Sequence, residues 1–307
     1  MVVAIPALVG GIVLLTVCAE LAVGAAERLS ERLGLSPVLI GALVVGLGTS
    51  LPELVVSGVA AAQRDTIDLA IGNIIGSNIA NLSLVLGVGA VSTTISARHT
   101  VMRREVFLML VATSLFAAFV IDNHLSRWEA GILLGGMVVA ALIVAMSPEN
   151  GHLAKHAEGE NRALAPLIIR VVVGLGGVLV GAQLMVTGAV DIAEDLGASE
   201  AFIGLSIVAL GTSLPELATT VVSARRGSLE LVVGNVLGSN MFNSLAVGGV
   251  AGLAGTGVIE ESVVLPILAM LAISVAVVAR GMIKHTFTRA VGILLILSYL
   301  ALLAVGV

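Results

Sequence analysis

The sequence predicts an all-α integral membrane protein of ten transmembrane helices in two inverted five-helix repeats. Three observations predict it: long apolar runs, a lopsided distribution of basic residues and a polar motif that occurs twice. Of 307 residues, 58% are hydrophobic and 11% charged, and the mean hydropathy is +1.13. A soluble domain carries roughly 25% charged residues, so most of this chain must face lipid or other apolar helices. Glycine reaches 36 residues while aromatics make up 3%. Such a composition suits helices that approach closely, because packing rather than hydrophobic burial drives their association in lipid. The apolar runs are continuous over about 20 residues instead of alternating over about 10, which argues against a β-barrel.

The runs fall at 3–26, 37–61, 67–91, 105–121, 128–146, 164–190, 200–223, 229–254, 262–279 and 287–306. Each is long enough, or nearly so, to cross about 30 Å of hydrocarbon. The first is read as a retained helix rather than a cleaved signal. The longest polar stretch, Ser147 to Asn161, is too short to fold alone. The chain therefore divides into a first repeat (1–147), a linker (148–162) and a second repeat (163–307).

Orientation follows from lysine and arginine. Twelve of the 15 lie in odd-numbered loops, only Arg64 and Arg127 in even ones, and Arg170 inside the sixth run. The odd loops and the linker are thus expected in the cytoplasm and both termini outside. No basic patch supports nucleic-acid binding. The single cysteine, Cys18, excludes an internal disulfide framework. All five histidines fall in loops or at the ends of runs, which argues against an intramembrane metalloprotease or a histidine proton relay. No phosphate-binding Gly-rich loop occurs. No enzyme, cofactor or obligatory protein partner is suggested; a secondary transporter in a lipid bilayer is left.

The heptamer Gly48-Thr-Ser-Leu-Pro-Glu-Leu54 recurs unchanged as Gly211–Leu217, an offset of 163. Gly72-Asn-Ile-Ile-Gly-Ser-Asn78 recurs as Gly234-Asn-Val-Leu-Gly-Ser-Asn240, an offset of 162, and each copy is followed by an asparagine, Asn81 or Asn243. Upstream, Leu33-Gly-Leu-Ser-Pro aligns with Leu196-Gly-Ala-Ser-Glu. Five spans, an odd number, separate the copies, so they must lie upside down relative to each other. The charges agree, since Arg28 and Arg32 align with Asp191 and Asp195. Inverted repeats are an alternating-access architecture with the substrate site near the midplane.

The repeated segments are the most polar ones in the membrane. A carboxylate there costs about 2.5–3.5 kcal/mol even on insertion scales, yet Glu53 and Glu216 both lie deep within runs. Thr49 and Ser50, or Thr212 and Ser213, precede them. These are hard oxygen donors, suited to Na+, Ca2+ or Mg2+. A satisfied polar contact is the alternative for one buried glutamate, but it explains two matched ones poorly. Pro52 and Pro215 lack an N–H and crowd the carbonyls of Gly48 and Gly211, so the helix must break or kink there. Ser77 and Asn81, and Ser239 and Asn243, are spaced i, i+4 on one helix face. Gly72 and Gly76, with Gly234 and Gly238, have the small-xxx-small spacing that lets these helices press against the broken ones. Asn73, Asn78, Asn235 and Asn240 could be ligands or could join helices, and the hydrogen-bonding role is the favoured one. Glu20, whose repeat partner is Gln183, either borders an ion pathway or makes a polar contact.

Both motifs, over 46–81 and 209–243, resemble the α-repeats of the Ca2+/cation antiporter superfamily, above all those of prokaryotic Na+/Ca2+ exchangers. The resemblance covers essentially the whole chain. It implies a cluster of ion sites between the second, third, seventh and eighth helices. The carboxylates would be Glu53 and Glu216, and the hydroxyl ligands Thr49, Ser50, Ser77, Thr212, Ser213 and Ser239. Asn81 aligns with a family amide, and Gly46 and Ala209 match positions that donate backbone carbonyls. The first and sixth helices would slide as a pair against the other eight. Relatives often carry aspartate at Asn243, so K+ dependence is disfavoured and the core keeps two carboxylates. The implied function is exchange of Na+ for Ca2+ at a prokaryotic plasma membrane, with Ca2+ extruded. Exchange of H+ or another cation for Ca2+ is the alternative, and after it a cation channel.

Overall fold

The computed structural model describes residues 3–62, 67–96, 99–146, 164–197, 209–255, 257–259 and 263–306. The linker lies outside the described residues, as do residues 198–208 at the head of the seventh predicted run. The helices are α1 (Ala4–Leu33), α2 (Pro37–Thr49), α3 (Leu51–Ala62), α4 (Ile67–Ser92), α5 (His99–Val120) and α6 (Arg127–Ala145). They continue as α7 (Ala165–Asp195), α8 (Ala209–Thr212), α9 (Leu214–Arg225), α10 (Leu229–Ala254), α11 (Val264–Lys284) and α12 (Arg289–Ala304). Among the described residues, six helices are long and apolar enough to cross a membrane, or seven with α2 and α3 counted as one bent span.

The apolar runs start where local capping permits. Ser36 accepts the amide of Leu39, and Pro37 follows at the position where a missing N–H costs nothing. Ser126 and Glu129 form a reciprocal capping box at the start of α6. The stops are glycines: Gly34 (φ 62°) ends α1 and Gly197 (φ 80°) follows α7, a conformation that glycine alone adopts without strain. These two glycines stand 163 residues apart. α1 and α7 run past their apolar stretches, so Arg28, Arg32, Asp191 and Asp195 occupy final helical turns and not loops. A helix needs hydrocarbon only over its middle, and hydropathy does not register the polar turns beyond it.

α4 and α10 are the most buried helices and form the centre, while α1, α6, α7 and α11 expose most of their surface. α10 lies against α2 at two glycines. A Cβ on Gly234 would stand 2.3 Å from the Val38 carbonyl oxygen, and one on Gly238 2.4 Å from the Ala42 Cα. The small-xxx-small reading holds for this pair. The positions matching Val38 and Ala42 in the other half, 201 and 205, lie outside the described residues, so Gly72 and Gly76 are not tested.

Two antiparallel ladders of two residues each tie distant loops. β1 (Ile95–Ser96) pairs with β4 (Thr286–Phe287), and β2 (His124–Leu125) pairs with β3 (Gly257–Val258). β3 and β4 lie 162 residues after β1 and β2, so exchanging the halves maps one ladder onto the other. Each ladder joins two loops of the same parity, the third with the ninth and the fourth with the eighth.

Candidate cation site

The helix breaks are where the repeated motif puts oxygen. α2 and α3 meet at Ser50 (φ −87°, ψ 9°), α8 and α9 at Ser213 (φ −89°, ψ 2°). Both serines lie in the sparsely populated bridge region, with matching backbones 163 residues apart. The first break bends the chain by 46°. Each falls two residues before its proline, which becomes the second residue of a new helix, a position that tolerates the missing N–H. Glu53 and Glu216 thereby enter the first turns of α3 and α9, where free amides and the helix dipole favour an anion.

Both carboxylates are buried, at 1% and 0% exposure. The Ser50 hydroxyl donates to Glu216 Oε1 at 2.9 Å, joining the first motif to the second. The Gly46 carbonyl accepts from Thr49 and from Ser239, each at 3.2 Å, and from the Ser50 amide at 3.1 Å. Five of the predicted ligands, Gly46, Thr49, Ser50, Glu216 and Ser239, thus meet in one hydrogen-bonded cluster from α2, α9 and α10. Ser77 and Ser213 are also buried, Thr212 is half-buried, and Ala209 begins α8.

Asn81 and Asn243 each open a π-helical turn, at Asn81–Val85 and Asn243–Val247. Such turns insert one extra residue into a helix and frequently mark functional sites. Both amides are fully buried. Among the described residues, neither atom of either amide has a hydrogen-bond partner, nor have Glu53 Oε1 and Oε2, Glu216 Oε2 and the Ser213 hydroxyl. A buried polar atom left alone costs about 1–3 kcal/mol, and native proteins leave few. These orphans concentrate on residues singled out by the repeat. Among the described residues, no three His, Cys, Asp or Glu side chains are placed to hold a metal; the oxygens here are two carboxylates and neutral donors.

The other motif asparagines brace helices. Asn73 donates to Ser57 at 2.9 Å, and Asn235 to Thr220 at 3.0 Å and Thr219 at 3.2 Å. Asn78 donates to Ser244 at 2.9 Å, linking α4 to the π turn of α10. Asn240 turns back to its own helix, at the Val236 carbonyl. Sequence reasoning passed over Ser57 and Thr220, although a signal was present: each lies four residues after its glutamate, on the same helix face. It also passed over Glu105, buried at 1% beside Arg104 near the start of α5. Glu20 makes a polar contact, with Arg226 at 3.2 Å.

The sequence profile of the family described as sodium/calcium exchanger protein matches residues 3–146 and 166–306. The chain belongs to that family. Among its relatives, the sodium/calcium exchanger MaX1 of Methanosarcina acetivorans is 30% identical over 96% of each chain. The inner membrane protein YrbG of Escherichia coli is 35% identical, over 82% of this chain and 80% of its own. Among solved structures, the sodium-calcium exchanger NCX_Mj, soaked with 2.5 mM Na+ and 1 mM Sr2+, superposes with a TM-score of 0.88 at 29% identity. That match covers 99% of this chain and 98% of the other. As a member of this exchanger family the chain shares its helical membrane fold from end to end.

Proposed function

We propose that this exchanger moves Na+ against Ca2+ by alternating access, at sites shared between Glu53 and Glu216. The observation that carries the reading is the hydrogen bond from Ser50 of the first motif to Glu216 of the second, with three carboxylate oxygens of Glu53 and Glu216 buried and, among the described residues, unpartnered. Thr49, Ser77, Thr212, Ser213 and Ser239 add neutral oxygens, Gly46 and Ala209 add main-chain carbonyls, and Asn81 and Asn243 add amide oxygens. All are hard donors of the kind that Na+ and Ca2+ take.

Two negative charges are balanced by one Ca2+ or by two or more Na+. Two bare carboxylates held together out of water are costly, so an empty carrier resists switching sides. An occupied one is neutralised and switches. Obligatory exchange follows, and the inward Na+ gradient drives Ca2+ out of the cell.

The proposal includes ten spans in two inverted copies, residues 1–147 and 163–307 joined by 148–162, with both termini outside a prokaryotic plasma membrane. The matched breaks at Ser50 and Ser213, the matched π turns and the two interchangeable ladders support the repeat. The ladders also support the spans: they join loops that the arginine and lysine count puts on one side.

Purified protein in liposomes tests the exchange. Radiolabelled Ca2+ is expected to accumulate when Na+ is trapped inside and diluted outside, and to stop accumulating when the Na+ gradient is removed. Accumulation driven by a proton gradient, or uptake indifferent to both gradients, would replace Na+ exchange by proton coupling or by a channel.

A further inference from the structure

α1 and α7, 30 and 31 residues long, are each roughly 45 Å and touch backbone to backbone. A Cβ on Gly11 would meet the Met185 amide nitrogen at 2.5 Å, one on Gly181 that of Leu15 at 2.5 Å, and one on Gly188 that of Leu8 at 2.5 Å. Among the described residues their buried side chains form an apolar cluster distinct from the main core, joined from elsewhere by buried Ile40, Val45, Val222 and Leu231. Their outer faces, with Val9, Val13, Val17, Val172 and Val173, are exposed. The two helices are one stiff unit lying along the rest of the molecule.

At one end that unit is fastened by charge. Arg226 donates from Nε and Nη2 to Glu27 Oε2 at 2.9 and 2.7 Å, and from Nη1 to Glu20 Oε2 at 3.2 Å. Ser228 bonds the other Glu27 oxygen. Glu20, Gly24 and Glu27 share one face of α1, and the guanidinium lies 3.2 Å from where a Gly24 Cβ would stand. Arg226 caps α9, which carries Glu216, and Ser228 caps α10, which carries Ser239 and Asn243. Val222, Ser223 and Ala224, the last turn before Arg225, are buried beneath. The two carboxylates are not repeated in α7: at the 163 offset Glu20 and Glu27 become Gln183 and Val190.

We infer that Arg226 is a positioning residue, a clasp that holds α1 over the end of α9 and keeps the site closed to the face of the membrane bearing Arg226. The inference rests on the exchange reading above. A contact made in one state only biases the equilibrium toward that state. An isolated exposed ion pair is worth little, but this guanidinium engages two carboxylates through three N–H groups. Arg226 and Glu27 are 36% and 20% exposed, so the clasp stands at the water-facing edge of the molecule.

The test uses the full chain in liposomes, with Arg226→Ala, Glu27→Gln and the swapped pair Glu27→Arg with Arg226→Glu. Each single variant is expected to retain exchange. Apparent Ca2+ affinity should strengthen about fivefold on the Arg226 face and weaken about fivefold on the opposite face, and the swap should reverse most of both shifts. Unchanged affinities, changes of the same sign on both faces, or a swap that restores nothing would overturn the clasp. A second readout does not depend on exchange. In a Cys18→Ala background, a thiol at Ser223→Cys should react severalfold faster when Arg226→Ala is added. Equal labelling rates would also overturn it, whereas faster labelling in a protein that fails to exchange would fault the exchange reading alone.

Discussion

Glu53 and Glu216 sit in identical heptamers and in different surroundings. Glu216 accepts the Ser50 hydroxyl; among the described residues neither oxygen of Glu53 has a partner, and Ser213, the counterpart of Ser50, donates to none. Identical residues cannot cause the difference. It lies in what surrounds the heptamers: the first break reaches the second motif through Ser50. A repeat fixes which atoms can meet, and their surroundings decide which of them do.

The largest effect expected from breaking this comparison is on transport. Glu53→Gln and Glu216→Gln should each lower Na+-driven Ca2+ uptake more than 100-fold while leaving the elution profile of the detergent-solubilised protein unchanged. Near-normal uptake by either variant would remove that glutamate from the site. The next effect is on packing. Gly181→Leu forces a side chain into the α1–α7 contact, and overpacking of this kind costs about 1–3 kcal/mol or more. Its melting temperature should fall well below that of Gly10→Leu, at a position with nothing within 4 Å; equal melting would deny the backbone contact.

The serines sharpen the comparison directly. Ser50→Ala removes a donor to a buried carboxylate, a loss of about 1.5–3 kcal/mol for a bond to a charged group, and should weaken ion-free stability more than Ser213→Ala. Equal melting temperatures for the two would mean that the asymmetry is absent in solution. The smallest effect is at Asn243, where an amide takes up no proton but an aspartate would. Asn243→Asp should still exchange Na+ for Ca2+, with activity that falls more steeply on acidification than the parent's. Parallel pH profiles would indicate that Asn243 faces away from the ions.

What the sequence made legible is what elementary chemistry constrains locally. Pro52 and Pro215 announced the breaks because a proline in mid-helix cannot be accommodated, although the break itself settles two residues earlier. The heptamer pair announced Thr49, Ser50 and Glu216, which the structure joins in one hydrogen-bonded cluster with Gly46. The π turns at Asn81 and Asn243 were not legible, because no residue preference distinguishes one inserted residue in a helix. The ladders at Ile95 and His124 were not, because two residues are too few to show alternation. Arg226 reads as one more loop charge until α9 brings it to Glu27, a partner 199 residues away. Hydropathy likewise could not say that Glu105 is buried, since it stands at the edge of an apolar run.

The most direct test of a shared cation site is calorimetric titration of Ca2+ into the purified exchanger at several Na+ concentrations, with Glu53→Gln and Glu216→Gln measured beside it. The account predicts that Na+ weakens apparent Ca2+ affinity without lowering the number of sites filled, and that each variant gives no resolvable heat. Ca2+ affinity that ignores Na+, or binding that survives intact in either variant, would contradict it.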